Sequence, residues 1–249
     1  MRSPHYNLPV DRAAMEWARK AVLALDPADL SPAAVTFLIR SYVADGGDAV
    51  RDAAELGLTR GLASAPPSDT CIRLEWLRTL VEAAPLSDDE RLRDIVTQTL
   101  PAAVDALEGL VRRTYEPGEG LMDATCGEHM QLGSALLAAF DLCGRLPYAM
   151  LAEELMQHAR RLWWQDADGA FAGGFAVNCT ALHVLCSLAA LHADADYRRA
   201  AVVAPAASYV DDARRLAASL GGHAGEHPQH AAGFGRALLE WFALEPNLQ

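Results

Sequence analysis

The sequence lacks the short motifs that mark most nucleotide-dependent and many metal-dependent enzymes. It has no phosphate-binding glycine loop, no dinucleotide fingerprint, no DDxxD cluster, no HExxH pair and no serine elbow. These absences argue against kinases, dehydrogenases, class I terpene synthases, zincin proteases and lipases. We therefore expect no cofactor. The chain also has no uninterrupted apolar run long enough for a membrane span, which argues against a membrane protein.

Lysine and paired cysteines are also scarce. Lys20 is the single lysine among 21 basic residues, which face 33 acidic residues and leave a formal net charge of -12. Such a surface repels phosphate backbones, so nucleic acid is not an expected partner. The five cysteines are scattered without a CxxC pair, and the N-terminus has no apolar secretory stretch. Together they predict a cytoplasmic protein with reduced thiols, and the abundance of alanine and arginine is typical of a GC-rich bacterial genome.

The apolar residues that are present recur every three to four positions, and alternating β-type runs are almost absent. This periodicity predicts an all-α protein, and nothing marks a linker, so residues 1–249 form one predicted domain. Prolines, glycines and aspartates divide the chain into these predicted helices: 11–25, 31–44, 48–63, 69–84, 88–114, 127–143, 147–164, 176–192, 195–219 and 229–244.

The predicted helices alternate in character. Segments 127–143 and 176–192 are apolar on nearly every face, whereas 147–164 and 195–219 carry charged stripes. Such alternation is typical of an inner ring of helices that an outer ring screens from water. A weak repeat of helical hairpins agrees with this arrangement. The sequence thus predicts an (α/α) toroid, or barrel, of about five helical hairpins, and it leaves open whether the ring is complete.

Three stretches carry a resemblance to a known group of proteins: GEHMQLGSALLAAFDLCGRLPY, FAGGFAVNCTALHVLCSLAALHADADYRRAA and HPQHAAGFGRALLEWFALEP. Across about half of the chain they resemble the helical half of thioredoxin-domain-containing proteins of the spermatogenesis-associated type. More distantly, they resemble N-acylglucosamine 2-epimerases and other six-hairpin (α/α) toroids. The resemblance implies a toroid fold with a small-molecule pocket. This chain has no thioredoxin domain and about five hairpins instead of six, which predicts an open seam that the termini, a second copy or a partner enzyme covers.

The loop and helix start around 116–129 hold the densest group of acid–base side chains. Asp123, Glu128 and His129 lie beside a helix predicted to be buried, at the end of a toroid where ligand pockets form. Carboxylates next to an imidazole can hold one group protonated and another ionised, as general acid–base catalysis requires. We predict these three residues as catalytic. The alternative is that Glu128 only complements the helix dipole and the others are solvated.

Five further residues are predicted to bind substrate. Glu75 and Trp76 place a carboxylate and a large aromatic ring in the middle of an apolar helix, where Glu75 either lines a pocket or pairs with a neighbouring arginine. Asn178 either orients a ligand or caps the helix that it opens. His227 and His230 lie in a glycine-flanked loop that either closes over a pocket or is simply exposed to solvent.

Cys179, His183 and Cys186 share one helical face, because they are spaced i, i+4 and i+7. Thiolate and imidazole are ligands that zinc prefers, so the trio is a candidate metal site. Core packing of buried cysteines is the favoured interpretation, and we predict no metal.

The leading hypothesis is a small-molecule enzyme of bacterial specialised metabolism that uses carboxylate and histidine side chains as acid and base. Isomerase, epimerase, lyase and intramolecular cyclase chemistry all fit this description. One alternative is an aziridine-forming cyclase that acts with a sulfotransferase partner. A zinc-dependent cyclase is another. The competing class is a non-catalytic toroid subunit that binds and stabilises a partner enzyme.

Overall fold

A computed structural model describes residues 12–26, 30–63, 69–83, 91–115 and 124–244. Most of these residues lie in α-helices, which confirms the predicted all-α class. The helices are α1 (Arg12–Leu23), α2 (Pro32–Asp45), α3 (Asp48–Ala63), α4 (Thr70–Ala83), α5 (Arg91–Tyr115), α6 (Cys126–Cys143), α7 (Leu146–Trp163), α8 (Gly174–Ala193), α9 (Ala195–Ala200), α10 (Tyr209–His223) and α11 (Ala231–Leu244).

Local signals explain several of the helix ends. Ser31 caps α2 by accepting a hydrogen bond from the backbone N–H of Ala34, and Pro32 occupies the first turn, where no backbone donor is needed. Gly144 ends α6 in the left-handed conformation that favours glycine. A short antiparallel hairpin, β1 (Trp164–Gln165) with β2 (Ala170–Phe171), interrupts the helices between α7 and α8, and the apolar periodicity did not predict it.

The helix predicted over 195–219 is wrong, because α9 ends at Ala200 and α10 begins only at Tyr209. Pro205 lies in the intervening loop and cannot donate a hydrogen bond to a continuing helix. The loop is held by Glu153, whose fully buried carboxylate accepts hydrogen bonds from the backbone N–H groups of Val203 at 2.8 Å and Ala204 at 3.0 Å. A long-range buried acceptor therefore competes with helix continuation.

Five helices form a closed circuit of contacts, in which α2 packs on α4, α4 on α6, α6 on α8, α8 on α11 and α11 again on α2. A second helix packs against each of them: α3 on α2, α5 on α4, α7 on α6, α10 on α8 and α1 on α11. We call the five helices of the circuit the inner helices. Within the described residues, α11 and α2 meet directly, so the open seam predicted from the hairpin count is not found between them.

The contact between α11 and α2 depends on a glycine. A Cβ atom added at Gly235 would lie 2.6 Å from Cε2 of Phe37, which is closer than carbon atoms approach without displacement. Phe37 is fully buried and has little room to move. Glycine at this position therefore allows the first and the last inner helices to meet.

The inner helix α8 (Gly174–Ala193) is long and apolar enough to cross a membrane by length and composition alone. The same composition is found in core helices of proteins that do not enter membranes. In this structure, α8 contacts α6, α10 and α11, and most of its side chains from Asn178 to Ala189 are buried in the protein.

Replacing Gly235 with alanine tests the closure of the circuit. We expect Gly235→Ala to lower the free energy of unfolding by about 1–3 kcal/mol, because the added methyl group overpacks against Phe37. Gly133→Ala is the matched control, since a Cβ there would meet Val184 at an ordinary 3.7 Å. It should be neutral or stabilising by up to about 1 kcal/mol. Urea denaturation measures both, and equal effects of the two variants would contradict the close contact.

Replacing Glu153 with glutamine tests how the loop after α9 is held. Each Glu153 oxygen now accepts a hydrogen bond from a backbone N–H group, so in Glu153→Gln the amide NH₂ would face one of these donors and lose that hydrogen bond. We therefore expect a loss of about 3 kcal/mol or more in unfolding free energy. Glu154→Gln removes the same charge from the exposed neighbouring position and should stay within about 0.5 kcal/mol of the parent. A similar effect of both changes would show that the buried contacts contribute little.

Candidate functional site

Two cavities lie at opposite ends of the inner helices. The N-terminal cavity, of about 250 Å³, is lined by residues from the first half of each inner helix, among them Pro32, Cys71, Gln131, Cys179 and Gly233. The C-terminal cavity, of about 750 Å³, is lined by residues from the second half of each, among them Arg40, Arg78, Asp141, Ala190 and Ala243. The inner helices therefore run in the same direction. Their positive dipole ends surround the first cavity, and their negative ends surround the second.

A layer of charged side chains separates the two cavities. Every inner helix contributes to it, and the members from all of these helices except α6 have less than one third of their side chain exposed. We call it the ionic layer. Its members are Arg40 on α2, Glu75, Arg78 and Glu82 on α4, Asp141 on α6, His183 on α8, and Arg236 and Glu240 on α11.

Glu75 lies on the side of the layer that faces the N-terminal cavity. One carboxylate oxygen accepts a hydrogen bond from the Ser134 hydroxyl, and the other accepts one from Nη1 of Arg236 at 2.6 Å. Burial opposes ionisation of Glu75, but the charge of Arg236, with smaller contributions from its other neighbours, lowers the pKa to about 2. The carboxylate is therefore ionised at neutral pH, and its side chain remains 16% exposed to the cavity.

His183 occupies the centre of the layer with both ring nitrogens engaged. Its Nε2 atom accepts from Nη2 of Arg236 at 3.0 Å and from Nη1 of Arg78 at 3.2 Å. A guanidinium group can only donate, so the ring proton is assigned to Nδ1, which donates to Glu240. Burial and then the charge of Arg236 lower the pKa of His183, although Glu240 opposes them. His183 is consequently a neutral ring that positions its neighbours.

Arg40 and Asp141 lie on the side of the layer that faces the C-terminal cavity. Arg40 donates to both carboxylate oxygens of Glu82 at 2.7 Å and to Glu240 at 3.0 Å. Asp141 has an ion pair with Arg78 at 3.2 Å, and about half of its side chain is exposed. Burial raises the pKa of Asp141; Arg78 opposes this, and Glu240 adds to it.

Two thiols line the N-terminal cavity together with Glu75. Burial raises the pKa of Cys71 to about 12, and the carboxylates of Asp69 and then Glu75, one helical turn away, contribute in the same direction. Burial also raises the pKa of Cys179. The cavity thus holds an ionised carboxylate beside thiols that keep their protons at neutral pH, a combination that can act as base and acid.

Two of the residues predicted as catalytic, Glu128 and His129, do not line either of these cavities. Glu128 forms a capping box at the start of α6, with its carboxylate 2.7 Å from both the backbone nitrogen and the hydroxyl of Thr125. This is the structural alternative predicted for it. His129 is buried, stacks on the ring of His158 and packs against Trp163. Asp123 lies outside the described residues.

Of the residues predicted to bind substrate, Glu75 alone lines one of these two cavities. Trp76 packs against Gly61 of α3, so close that a Cβ on that glycine would lie 2.5 Å from the indole ring. The amide of Asn178 is bonded to the backbone N–H and C=O of Phe171 at 2.8 and 2.9 Å, which fixes the hairpin before α8. His227 stacks on Phe175 with ring centroids 4.6 Å apart, and His230 stacks on the same ring at 6.2 Å.

The structure does not bring Cys179, His183 and Cys186 together as metal ligands. Cys179 lines the N-terminal cavity and Cys186 the C-terminal cavity, on opposite sides of the ionic layer. Both nitrogens of His183 are already engaged, and burial raises the pKa of both thiols, which disfavours the thiolate form that binds zinc. Among the described residues, no group of three or more metal-ligating side chains is arranged to hold a metal ion.

Sequence reasoning missed Arg236 and Glu240, which hold Glu75 and His183 in place. Their signal was present, because the segment GRALLEW places an arginine and a glutamate four residues apart in an otherwise apolar helix. Opposite charges at this spacing are usually a solvated surface pair. In this structure α11 is covered by α1, α2 and α8, so the pair is buried and belongs to the ionic layer.

No protein-family model, curated protein or solved structure matches this chain. Its function must therefore be inferred from the site itself.

The hydrogen bonds of His183 predict an unusual tautomer. In ¹⁵N-edited NMR spectra at pH 7, we expect a neutral ring with the proton on Nδ1, assigned by its loss in His183→Gln. Because the pKa of His183 is lowered, the ring should stay neutral as the pH falls below 6.5, the ordinary value. The unfolded chain would take up that proton, so this group makes the protein less stable as the pH falls below 6.5. A proton on Nε2, or titration at the ordinary pKa, would contradict the arrangement.

Proposed function

We propose that this protein is a small-molecule enzyme whose acid–base chemistry takes place in the N-terminal cavity of an (α/α) toroid of five hairpins. The observation that carries the proposal is the ionised Glu75 carboxylate at the floor of that cavity, with a protonated Cys71 thiol one helical turn away. The closed circuit of inner helices, each covered by a further helix, supports the toroid.

Glu75 is the candidate base. Each of its oxygens accepts one hydrogen bond, so lone pairs remain to accept a proton from a substrate in the cavity. Its lowered pKa keeps the carboxylate ionised, so it is available both to accept a proton and to attract an ammonium or other cationic group. The largely buried position of Glu75 makes its attraction for a cation stronger than it would be in bulk water.

Arg236 and the helix N-termini supply the complementary positive charge. The Arg236 guanidinium lies at the cavity and contacts Glu75 directly. Together with the dipoles of the inner helices, it can stabilise negative charge that develops on a substrate oxygen after Glu75 removes a proton. The thiol of Cys71 can then return a proton to the substrate, and transfer of the proton from Glu75 to the resulting thiolate restores both groups. This division of roles fits an isomerase, an epimerase or an intramolecular cyclase, the reaction classes predicted from the sequence.

His183 and Glu240 act by positioning their neighbours. His183 accepts from Arg236 on one side and donates to Glu240 on the other, so it fixes the guanidinium that holds Glu75. The chemistry assigned to Asp123, Glu128 and His129 from the sequence passes in this proposal to Glu75 and Cys71, because Glu128 and His129 do not line the cavity.

A metabolite extract in deuterium oxide tests the proposal although the substrate is unidentified. An enzyme that removes and returns protons introduces deuterium into its substrate or converts it into a product, and both changes are visible by mass spectrometry. We expect the parent protein and Glu55→Gln, an exposed control on α3, to produce the same labelled or converted species. Glu75→Gln should reduce the rate by about 10²–10⁴-fold, as loss of a general base does.

A second variant separates loss of the base from loss of the fold. Gly233→Leu leaves Glu75 in place but fills the N-terminal cavity, since Gly233 lines it and a Cβ there meets Cys179 at an ordinary 3.5 Å. It should fold and be inactive. Full turnover by Glu75→Gln would refute the assignment of the base. No turnover by the parent protein, combined with a partner enzyme that loses stability without this chain, would favour the non-catalytic subunit instead.

A further inference from the structure

The C-terminal cavity takes no part in the proposed reaction, although it is the larger of the two. Its volume of about 750 Å³ lies within the range of small-molecule pockets. The ionic layer closes it on one side, and apolar side chains from α6 and α8, including Leu137, Phe140 and Leu191, form much of its wall. The cavity therefore offers both a charged floor and an apolar enclosure.

The ionic layer has one carboxylate more than it has guanidinium groups. Within the described residues it contains four carboxylates and three guanidiniums, while His183 is neutral. The groups are Glu75, Glu82, Asp141 and Glu240 against Arg40, Arg78 and Arg236. Uncompensated charge in a partly buried layer is unfavourable, so a cation from outside the layer would stabilise it.

The excess charge lies on the side of the C-terminal cavity. Arg236 pairs most closely with Glu75 on the opposite side and lies 3.9 Å from Glu240. The nearer ion pairs of the other three carboxylates, Glu82, Asp141 and Glu240, are with Arg40 and Arg78. Of these carboxylates, Asp141 is the least well paired. It has a single ion pair, to Arg78, and about half of its side chain is exposed at the cavity. Repulsion from Glu240 adds to burial in raising its pKa, as expected of a carboxylate that lacks a full partner.

Helix ends and two further aspartates add negative potential around this cavity. The inner helices end here, so their negative dipole ends face the space. Asp194 and Asp196 also line it; the first caps α9 through the backbone N–H groups of residues 196 and 197, and the second pairs with Arg199. An anion would meet an unfavourable potential, whereas an ammonium group would be attracted.

We propose that the C-terminal cavity is a second ligand site, which binds an amphipathic organic cation with its ammonium group at Asp141 and its apolar body against Leu137, Phe140 and Leu191. The site is distinct from the reaction cavity and needs no turnover to be occupied. A bound cation would neutralise the charge of Asp141 and so weaken the ion pair between Asp141 and Arg78. Arg78 would then interact more strongly with His183 and Glu240, which links occupancy of this site to the geometry of the layer.

Three probes of matched shape test the charge requirement: 4-phenylbutylamine, 4-phenylbutanol and 4-phenylbutyrate, titrated calorimetrically into the full chain at pH 7 and low salt. We expect the amine to bind about tenfold more tightly than the alcohol, the difference that a charge-assisted hydrogen bond supplies. The carboxylate should bind most weakly. Equal affinity of amine and alcohol, or tighter binding of the carboxylate, would overturn the proposal.

Asp141→Asn should abolish the preference for the amine over the alcohol. Asp166→Asn is the matched control, because it removes one exposed carboxylate in the hairpin at the opposite end of α8 and should leave the preference unchanged. Ala190→Phe keeps Asp141 but fills the cavity from an exposed position on α8, and it should weaken all three probes. If Ala190→Phe or Asp141→Asn binds the amine as tightly as the parent does, the ligand lies elsewhere and the proposal fails.

Discussion

The buried guanidinium of Arg236 is the charge on which the ionic layer depends. It donates to Glu75 and to His183, and it lies 3.9 Å from Glu240 one turn further along α11. Burial of Arg236 is tolerable only because these partners replace the water that it loses. They come from α4, α8 and α11, so the guanidinium fixes the spacing of three inner helices. Closure of the circuit at α2 then requires the close approach of Gly235 to Phe37.

The ionic layer divides the interior into two chemically different spaces. Because the inner helices run in the same direction, their dipoles add up to a positive end at the N-terminal cavity and a negative end at the C-terminal cavity. The negative charge of Glu75 complements the positive dipole ends at the N-terminal cavity, which helps to keep the carboxylate ionised. The negative charge of Asp141 adds to the negative dipole ends at the C-terminal cavity, which favours a cation there. One layer of side chains thereby gives the two cavities opposite preferences.

Hydrophobic periodicity and local punctuation were sufficient to predict the all-α class and most of the helices, because both depend on neighbouring residues. The start of α2 at Ser31 and Pro32 is an example. The break between α9 and α10 could not be predicted in the same way, since it depends on Glu153, some 50 residues away in sequence. Glu75 was recognisable as a carboxylate in an apolar helix, but its partner Arg236 lies 161 residues further along the chain. Glu128, in the segment richest in acid–base side chains, forms a helix cap, because its short-range partner Thr125 engages the carboxylate first.

A layer of this kind is not needed for stability alone. Replacing buried ion pairs with apolar side chains of similar volume is often neutral or stabilising, whereas removal of one partner is costly. The layer also leaves carboxylates accessible on both of its faces, with the side chain of Glu75 16% exposed and that of Asp141 48% exposed. A purely structural network would be expected to satisfy and cover its charges fully. Both ligand proposals therefore rest on the same feature, charges of one layer that the packing of the helices leaves open to two cavities.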